Sequence, residues 1–246
     1  MSLLQVSRLE VRRGERILVA DLSFAVEGPG LHFLTGPNGA GKSTLLLMLA
    51  GLLPPGKGEI LLGGAPLYGP GAMPKRARAR QLVYLPQHPS SPAELPALDL
   101  VALGRLPHLH WTQPLGQADY ALARKALADI GFARPPAQWM GTLSGGERQM
   151  VWLAQGLVQN GDLWLLDEPT QHLDAARRAY LFGLMERLCT EMGKTLLVAT
   201  HELEALANLP GARYIDLLSP GAGFRPCSQA ALAATLEAHK AASGLF

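Results

Sequence analysis

Residues Gly36-Pro37-Asn38-Gly39-Ala40-Gly41-Lys42-Ser43 set three glycines, a lysine and a hydroxyl within eight positions. The spacing G-x-x-x-x-G-K-[ST] suits phosphate binding. Glycines let the backbone wrap closely, so that several N–H groups and the N-terminus of a following helix point at phosphate oxygens. In that chemistry Lys42 reaches the β and γ phosphates and the Ser43 hydroxyl coordinates Mg²⁺, with Thr44 next in line. A second constellation is Leu163-Trp164-Leu165-Leu166-Asp167-Glu168, an apolar run closed by two carboxylates. Asp167 is expected in the Mg²⁺ shell, and Glu168 is expected to orient or deprotonate an attacking water. A third is Leu143-Ser144-Gly145-Gly146-Glu147-Arg148-Gln149, a Ser-Gly-Gly turn opening an apolar helix and thus a second helix end suited to an anion. Taken singly, that turn is an ordinary capped helix start and Asp-Glu after an apolar run an ordinary solvated strand end.

Positioning these groups requires a sheet. Residues 3 to 11 and 17 to 26 alternate as short strands around Arg12, Arg13 and Gly14, and Leu31 to Thr35 reads as an apolar strand entering the glycine loop. Lys42 to Leu53 has the length and leucine content of a buried helix ended by Pro54. Pro54 to Gly71 is a Gly/Pro-rich passage, the run Lys75 to Arg80 reads as a solvated helix face, and Leu82 to Leu85 is strand-like. From His88 to Gly141 the pattern is helical, most clearly over Ala121 to Ile130. Residues 163 to 167 and 195 to 199 are buried-strand patterns, each after a helical stretch, as in a mostly parallel sheet with crossover helices. Ser228 to Lys240 reads as an Ala-rich terminal helix capped by Ser228.

Composition bounds the rest. The 246 residues carry 22 Lys+Arg against 20 Asp+Glu, a net charge of +2, which argues against a polybasic nucleic-acid tail or an acidic solvating segment. With 48% apolar residues there is enough for a substantial core. Cys189 and Cys227 stand alone, so neither a disulfide framework nor a zinc site is expected, and a reducing cytoplasm is the natural setting. Leu45 to Leu53 is far shorter than the roughly 20 apolar residues that span a bilayer, and Met1 to Glu10 is not a secretory signal.

Leu143 to Gln149 closely resembles the LSGGQ signature of ABC-type ATPases, with Glu147 where Gln is commonest. Companions follow in that family's order. Gln87, after Val83-Tyr84-Leu85-Pro86, resembles the glutamine loop; Asp174, closing Thr170-Gln171-His172-Leu173-Asp174, resembles the D-loop; His201, after Leu197-Val198-Ala199-Thr200, resembles the switch histidine. The resemblance covers residues 3 to 218. It implies an α/β fold: a P-loop NTPase (RecA-like) core with a mainly parallel sheet over 1–87 and 151–220, including an N-terminal antiparallel β subdomain. A helical subdomain would be inserted at 88–150, with a short helical tail at 221–246, all within one ABC ATPase domain.

It also implies ATP and Mg²⁺ as cofactors and hydrolysis by water. Lys42, Glu168 and His201 would be catalytic, Ser43, Gln87 and Asp167 would hold the metal, and Gln87 would relay nucleotide binding to the helical subdomain. Two copies would sandwich ATP head to tail, so that Ser144, Gly145 and Gly146 of one meet the γ phosphate held by Gly36 to Ser43 of the other. The family usually stacks an aromatic residue on adenine just before the first loop's glycine. Here Arg12 and Arg13 precede Gly14, and Arg13 is the candidate for that role, with a solvated hairpin arginine as the alternative.

Val101-Ala102-Leu103-Gly104-Arg105-Leu106-Pro107-His108 resembles a V-x-x-G-R-x-P passage of ATPases serving importers of iron-siderophore, haem and cobalamin. That implies an integral membrane permease as partner, docked on residues 88 to 110, and indirectly an extracytoplasmic substrate-binding protein, with the chain peripheral at the cytoplasmic membrane face. The other class is a soluble assembly ATPase, such as one of iron–sulfur cluster biogenesis.

Overall fold

In the computed structural model, which describes residues 2–90, 92–171, 173, 175–201, 209, 211–219 and 224–243, the chain opens with two long strands, β1 (Ser2–Arg13) and β2 (Arg16–Glu27). They form an antiparallel hairpin turned at Gly14. β1 also pairs with β4 (Glu59–Leu62), and β4 with β5 (Ala65–Pro66), giving a four-stranded antiparallel sheet in the order β2-β1-β4-β5. The sequence reading had no strand between Pro54 and Gly71. Four residues flanked by glycines carry too little alternation to be seen locally, and β4 exists because Leu4 and Val6 lie opposite Leu62 and Ile60.

The second sheet runs β10-β9-β3-β8-β7-β6, with β3 (Gly30–Thr35), β6 (Leu82–Leu85), β7 (Leu163–Asp167), β8 (Thr195–Thr200) and β9 (Arg213–Asp216) parallel. Only the two-residue β10 (Arg225–Pro226) is antiparallel, on β9. The register sets Thr35 beside both Thr200 and Asp216, and Asp167 beside Ala199. The segments bearing the glycine loop, Gln87, Glu168 and His201 therefore leave the sheet at one edge, as the carboxyl ends of parallel strands do.

Both faces of this sheet are covered, which explains its uninterrupted apolar strands. Leu163, Leu165, Leu197 and Ala199 point into a core shared with the antiparallel sheet, while Trp164, Leu166, Leu196 and Val198 point into a second core. α1 (Lys42–Leu49) lies in the first, wrapped by apolar neighbours from both sheets. It is four residues shorter than expected, because the chain turns at Ala50 and left-handed Gly51, with the Leu52 and Leu53 N–H groups both donating to Leu47 O. The fold thus stops the helix before Pro54 is reached.

The second core carries α3 (Ala97–Ala102), α4 (Gln117–Asp129), α5 (Gly145–Gln159) and α6 (Ala175–Thr190). The basic run forms α2 (Lys75–Gln81), yet it is not simply a solvated face: Arg76 and Arg80 Nε donate to Pro107 O at 3.0 and 2.7 Å. The terminal helix α7 (Gln229–Ser243) sits on β9, where Ser228 Oγ accepts from Ala231 N at 3.3 Å and His239 Nε2 lies 2.8 Å from Asp216. Among the described residues no helix is long and apolar enough to cross a membrane.

Candidate functional site

The loop between β3 and α1 is shaped by glycines at positive φ, and Gly41, the N-cap of α1, shows why one is needed. At φ +101 an L side chain is strained, and a Cβ there would also press on Leu18 and Val11 at 3.2 to 3.3 Å. Lys42 is buried and folds back over the loop, its Nζ donating to Gly36 O at 2.8 Å and Pro37 O at 3.2 Å. Burial pushes its pKa down, and Glu168, with Oε1 at 3.5 Å, opposes that shift.

β7 delivers the two acids differently. Asp167 ends the strand, buried, with its pKa raised by burial and held back by a hydrogen bond with Ser43. Its Oδ1 is buried without a hydrogen-bond partner among the described residues. A buried carboxylate oxygen facing no donor, beside a serine hydroxyl, is a donor set that a hard divalent cation satisfies, so these residues fit Mg²⁺. Glu168 follows at φ +47, in the left-handed region, with its N–H donating to Ala199 O at 3.0 Å. That turn swings the carboxylate across the sheet edge, where Oε2 sits 2.9 Å from His201 Nδ1.

Arg13, Leu18, Asn38, Gly39, Lys42, Ser43, Thr44, Gln87, Glu168 and Gln171 line one open depression of about 740 Å³. Arg12 is engaged in an ion pair with Glu10, so of the two candidates Arg13 is the one on the depression. Ser144, Gly145 and Gly146 line a different depression with His88 and Pro89, and the two share Gln87 and Gln171. The phosphate loop and the signature turn of one chain therefore do not close on a common ligand. Asp174 lies outside the described residues.

Two participants had no role in the sequence reading. Glu147 forms a capping box with Ser144: Ser144 N donates to Glu147 Oε2 at 2.8 Å, and Glu147 N donates to Ser144 Oγ at 3.3 Å. The signal was present as S-x-x-E before an apolar run. Gln171 accepts a hydrogen bond from Gln87 Nε2 across 84 residues of sequence, a pairing no local pattern announces. Arg105 also takes on a different character. Its Nε lies 3.0 Å from Asp119 Oδ1, and a Cβ at neighbouring Gly104 would meet Gln155 O at 2.5 Å. The Gly-Arg pair thus joins the turn after α3 to α4 and α5.

The arrangement defines a nucleoside triphosphatase cassette, with phosphate loop, acidic strand end and signature turn in one chain. The family model described as ABC transporter matches residues 19–171. The chain belongs to the ABC transporter family and is one of its ATPases. It is 34% identical over 221 residues to the iron(3+)-hydroxamate import ATP-binding protein FhuC of Bacillus subtilis (strain 168), covering 90% of this chain and 80% of that protein. It is also 34% identical to the zinc transport system ATP-binding protein TroB of Treponema pallidum (strain Nichols), over 82% of this chain and 74% of that one. Among solved structures, one described as a metal-chelate type ABC transporter in an inward-facing conformation superposes with a TM-score of 0.78 at 26% identity, covering 92% of this chain and 84% of that one.

Proposed function

We propose that this chain is the ATP-hydrolysing subunit of an importer for a chelated metal, with ferric siderophores, haem and cobalamin as the substrate class. Resemblance to FhuC and to the metal-chelate type transporter supports the chelate, and equal identity to TroB makes a bare divalent cation the second reading.

In the reaction a water oxygen attacks the γ phosphorus, the bond from that phosphorus to the β–γ bridging oxygen breaks, and ADP leaves. Glu168 accepts the water's proton, and the observation that carries this role is its carboxylate fixed between Lys42 and His201 at the sheet edge. Lys42, released from Gly36 and Pro37, donates to the transferred phosphoryl oxygens, and His201 contacts the γ phosphate. Ser43, Asp167 and Gln87 would hold Mg²⁺, which when bound neutralises charge developing on the β and γ oxygens. Gly36 to Thr44 cradle the phosphates. Arg13 would lay its guanidinium on adenine, with Leu18 supplying apolar contact beside it.

Because the signature turn opens on a different depression from the loop, each site is completed by Ser144, Gly145 and Gly146 of a second copy. The permease docks on residues 88 to 110, where Leu106 is 53% exposed. Arg105 is held inside the subdomain, so its charge reversal tests the subdomain's packing, and Leu106→Asp is the better probe of docking. The chain would sit peripherally at the cytoplasmic membrane face, served indirectly by an extracytoplasmic substrate-binding protein.

The test is to capture tagged Glu168→Gln protein with ATP from detergent-solubilised native membranes and identify what comes with it by mass spectrometry. A polytopic permease is expected, whose companion binding protein is then titrated with ferric hydroxamate, haem, cobalamin and zinc. Recovery of soluble scaffold proteins alone would move the assembly ATPase into first place.

A further inference from the structure

An amide side chain has a donor end and an acceptor end, and its hydrogen bonds decide which end faces a ligand. Gln87, on the glutamine loop after β6, commits its Nε2 to Gln171 Oε1. That leaves Oε1 of Gln87 as the end a cation can take. Gln171 is itself fixed from behind: its N–H donates to Glu168 O at 3.1 Å, and Gln149 of α5 donates through Nε2 to the carbonyl of Pro169 in the same turn. The half-buried Gln171 side chain lies where the nucleotide depression and the signature depression meet.

We infer that Gln171 is a positioning residue that orients the Gln87 amide, holding its NH₂ group so that its carbonyl oxygen is presented to the metal of the Mg–ATP complex. The turn after Glu168 thereby sets the polarity of the glutamine loop, and Gln149 ties the same turn to the signature helix. This rests on the proposed role of Gln87 at Mg²⁺ and adds the residue that orients it. Without the acceptor at 171 the Gln87 amide rotates freely and spends part of its time with NH₂ toward the cation, which repels it.

The experiment is a double-mutant cycle with wild type, Gln171→Met, Gln87→Ala and the double variant. Each is loaded with a nonhydrolysable ATP analogue and titrated with Mn²⁺, free Mn²⁺ being read by electron paramagnetic resonance; affinity for the analogue without metal serves as the control. Gln171→Met is expected to weaken Mn²⁺ binding by about 3- to 10-fold, as loss of one hydrogen bond would. The metal-free affinity should stay unchanged, and the double variant should match Gln87→Ala alone. Gln171→Ala, which should behave as Gln171→Met does, stands in if the methionine variant does not fold. If Gln87→Ala weakens Mn²⁺ binding and Gln171→Met does not, the orienting role is wrong and the Gln87 role stands. Full additivity in the double variant means that Gln171 does not act through Gln87, which also overturns the proposal. An unchanged Mn²⁺ affinity in Gln87→Ala removes the reading beneath it, and the proposal with it.

Discussion

The two ends of the candidate site are built by different physics. At the phosphate-loop end, Lys42, Asp167 and Glu168 are buried at the edge of a sheet whose parallel strands come from positions 30 to 216, and long-range register places them. At the signature end, Ser144 and Gly145 are exposed, their shape is set within four residues by a capping box, and Arg134 adds an ion pair to Glu147 at 2.8 Å. The charged groups of the first end are dry and preformed, so a lost charge there is uncompensated. The second end is wet and local, and it lacks the enclosure that makes electrostatic stabilisation strong. In the proposed head-to-tail pair, a second copy supplies that enclosure.

The largest effect should come from the dry end. Glu168→Gln keeps the shape and removes the proposed base, so steady-state turnover should fall by about 10²- to 10⁴-fold while equilibrium ATP binding persists. Turnover near that of the wild type would remove Glu168 from the mechanism. Next is Ser144→Arg, which should cut turnover by about 10²-fold, the scale for losing one preorganised donor, with ATP affinity of the isolated chain unchanged. Mixing it with Lys42→Ala protein should restore up to about a quarter of wild-type turnover, since half of random pairs hold one intact composite site. Full turnover by Ser144→Arg alone would erase the distinction between the two ends.

The residues of the dry end were legible in the sequence because they lie in contiguous runs, a glycine loop between a strand and a helix and an apolar strand closed by two acids. The mainly parallel sheet was legible as well, since β7 and β8 are apolar runs each preceded by a helical stretch. What stayed hidden depends on contacts between distant residues. β4 is defined by its partner β1 and the Gln87–Gln171 pair by a separation of 84 residues, while the end of α1 is the exception, set locally by the turn at Gly51. Arg105 shows the converse: a motif with the look of a docking surface carries a residue spent on the subdomain's own packing.

The wet end should show itself in stability against pH. The Glu147 carboxylate is drawn down from 4.5 to about 2, first by the Ser144 N–H and then by Arg134. A depressed pKa means that its contribution is complete above about 4.5 and is lost as pH falls from there toward 2. Glu147→Ala should therefore cost about 1 kcal/mol at neutral pH, the scale of a helix cap, or about 2–4 °C in Tm for a chain of this length. Thermal melts of the two proteins should converge as pH is lowered through that window. A gap independent of pH would mean that packing, not charge, gives Glu147 its value.

The smallest effect belongs to Arg13, which sharpens the comparison because it is an exposed group on the depression that the buried Lys42 and Glu168 line. A guanidinium laid on a base gains little where water reaches both, about 0.5–1 kcal/mol, so Arg13→Ala should weaken ATP binding by about 2- to 5-fold. Arg13→Lys should not restore it, since an ammonium lacks the planar face that stacks. Stacking of this kind reads a π surface, so ATP and GTP should weaken together, and any preference between them must come from groups at the base edge. Fluorescence titration with both nucleotides separates the cases. A loss confined to one nucleotide would assign Arg13 a hydrogen bond to the base, and no loss for either would return it to the solvated hairpin.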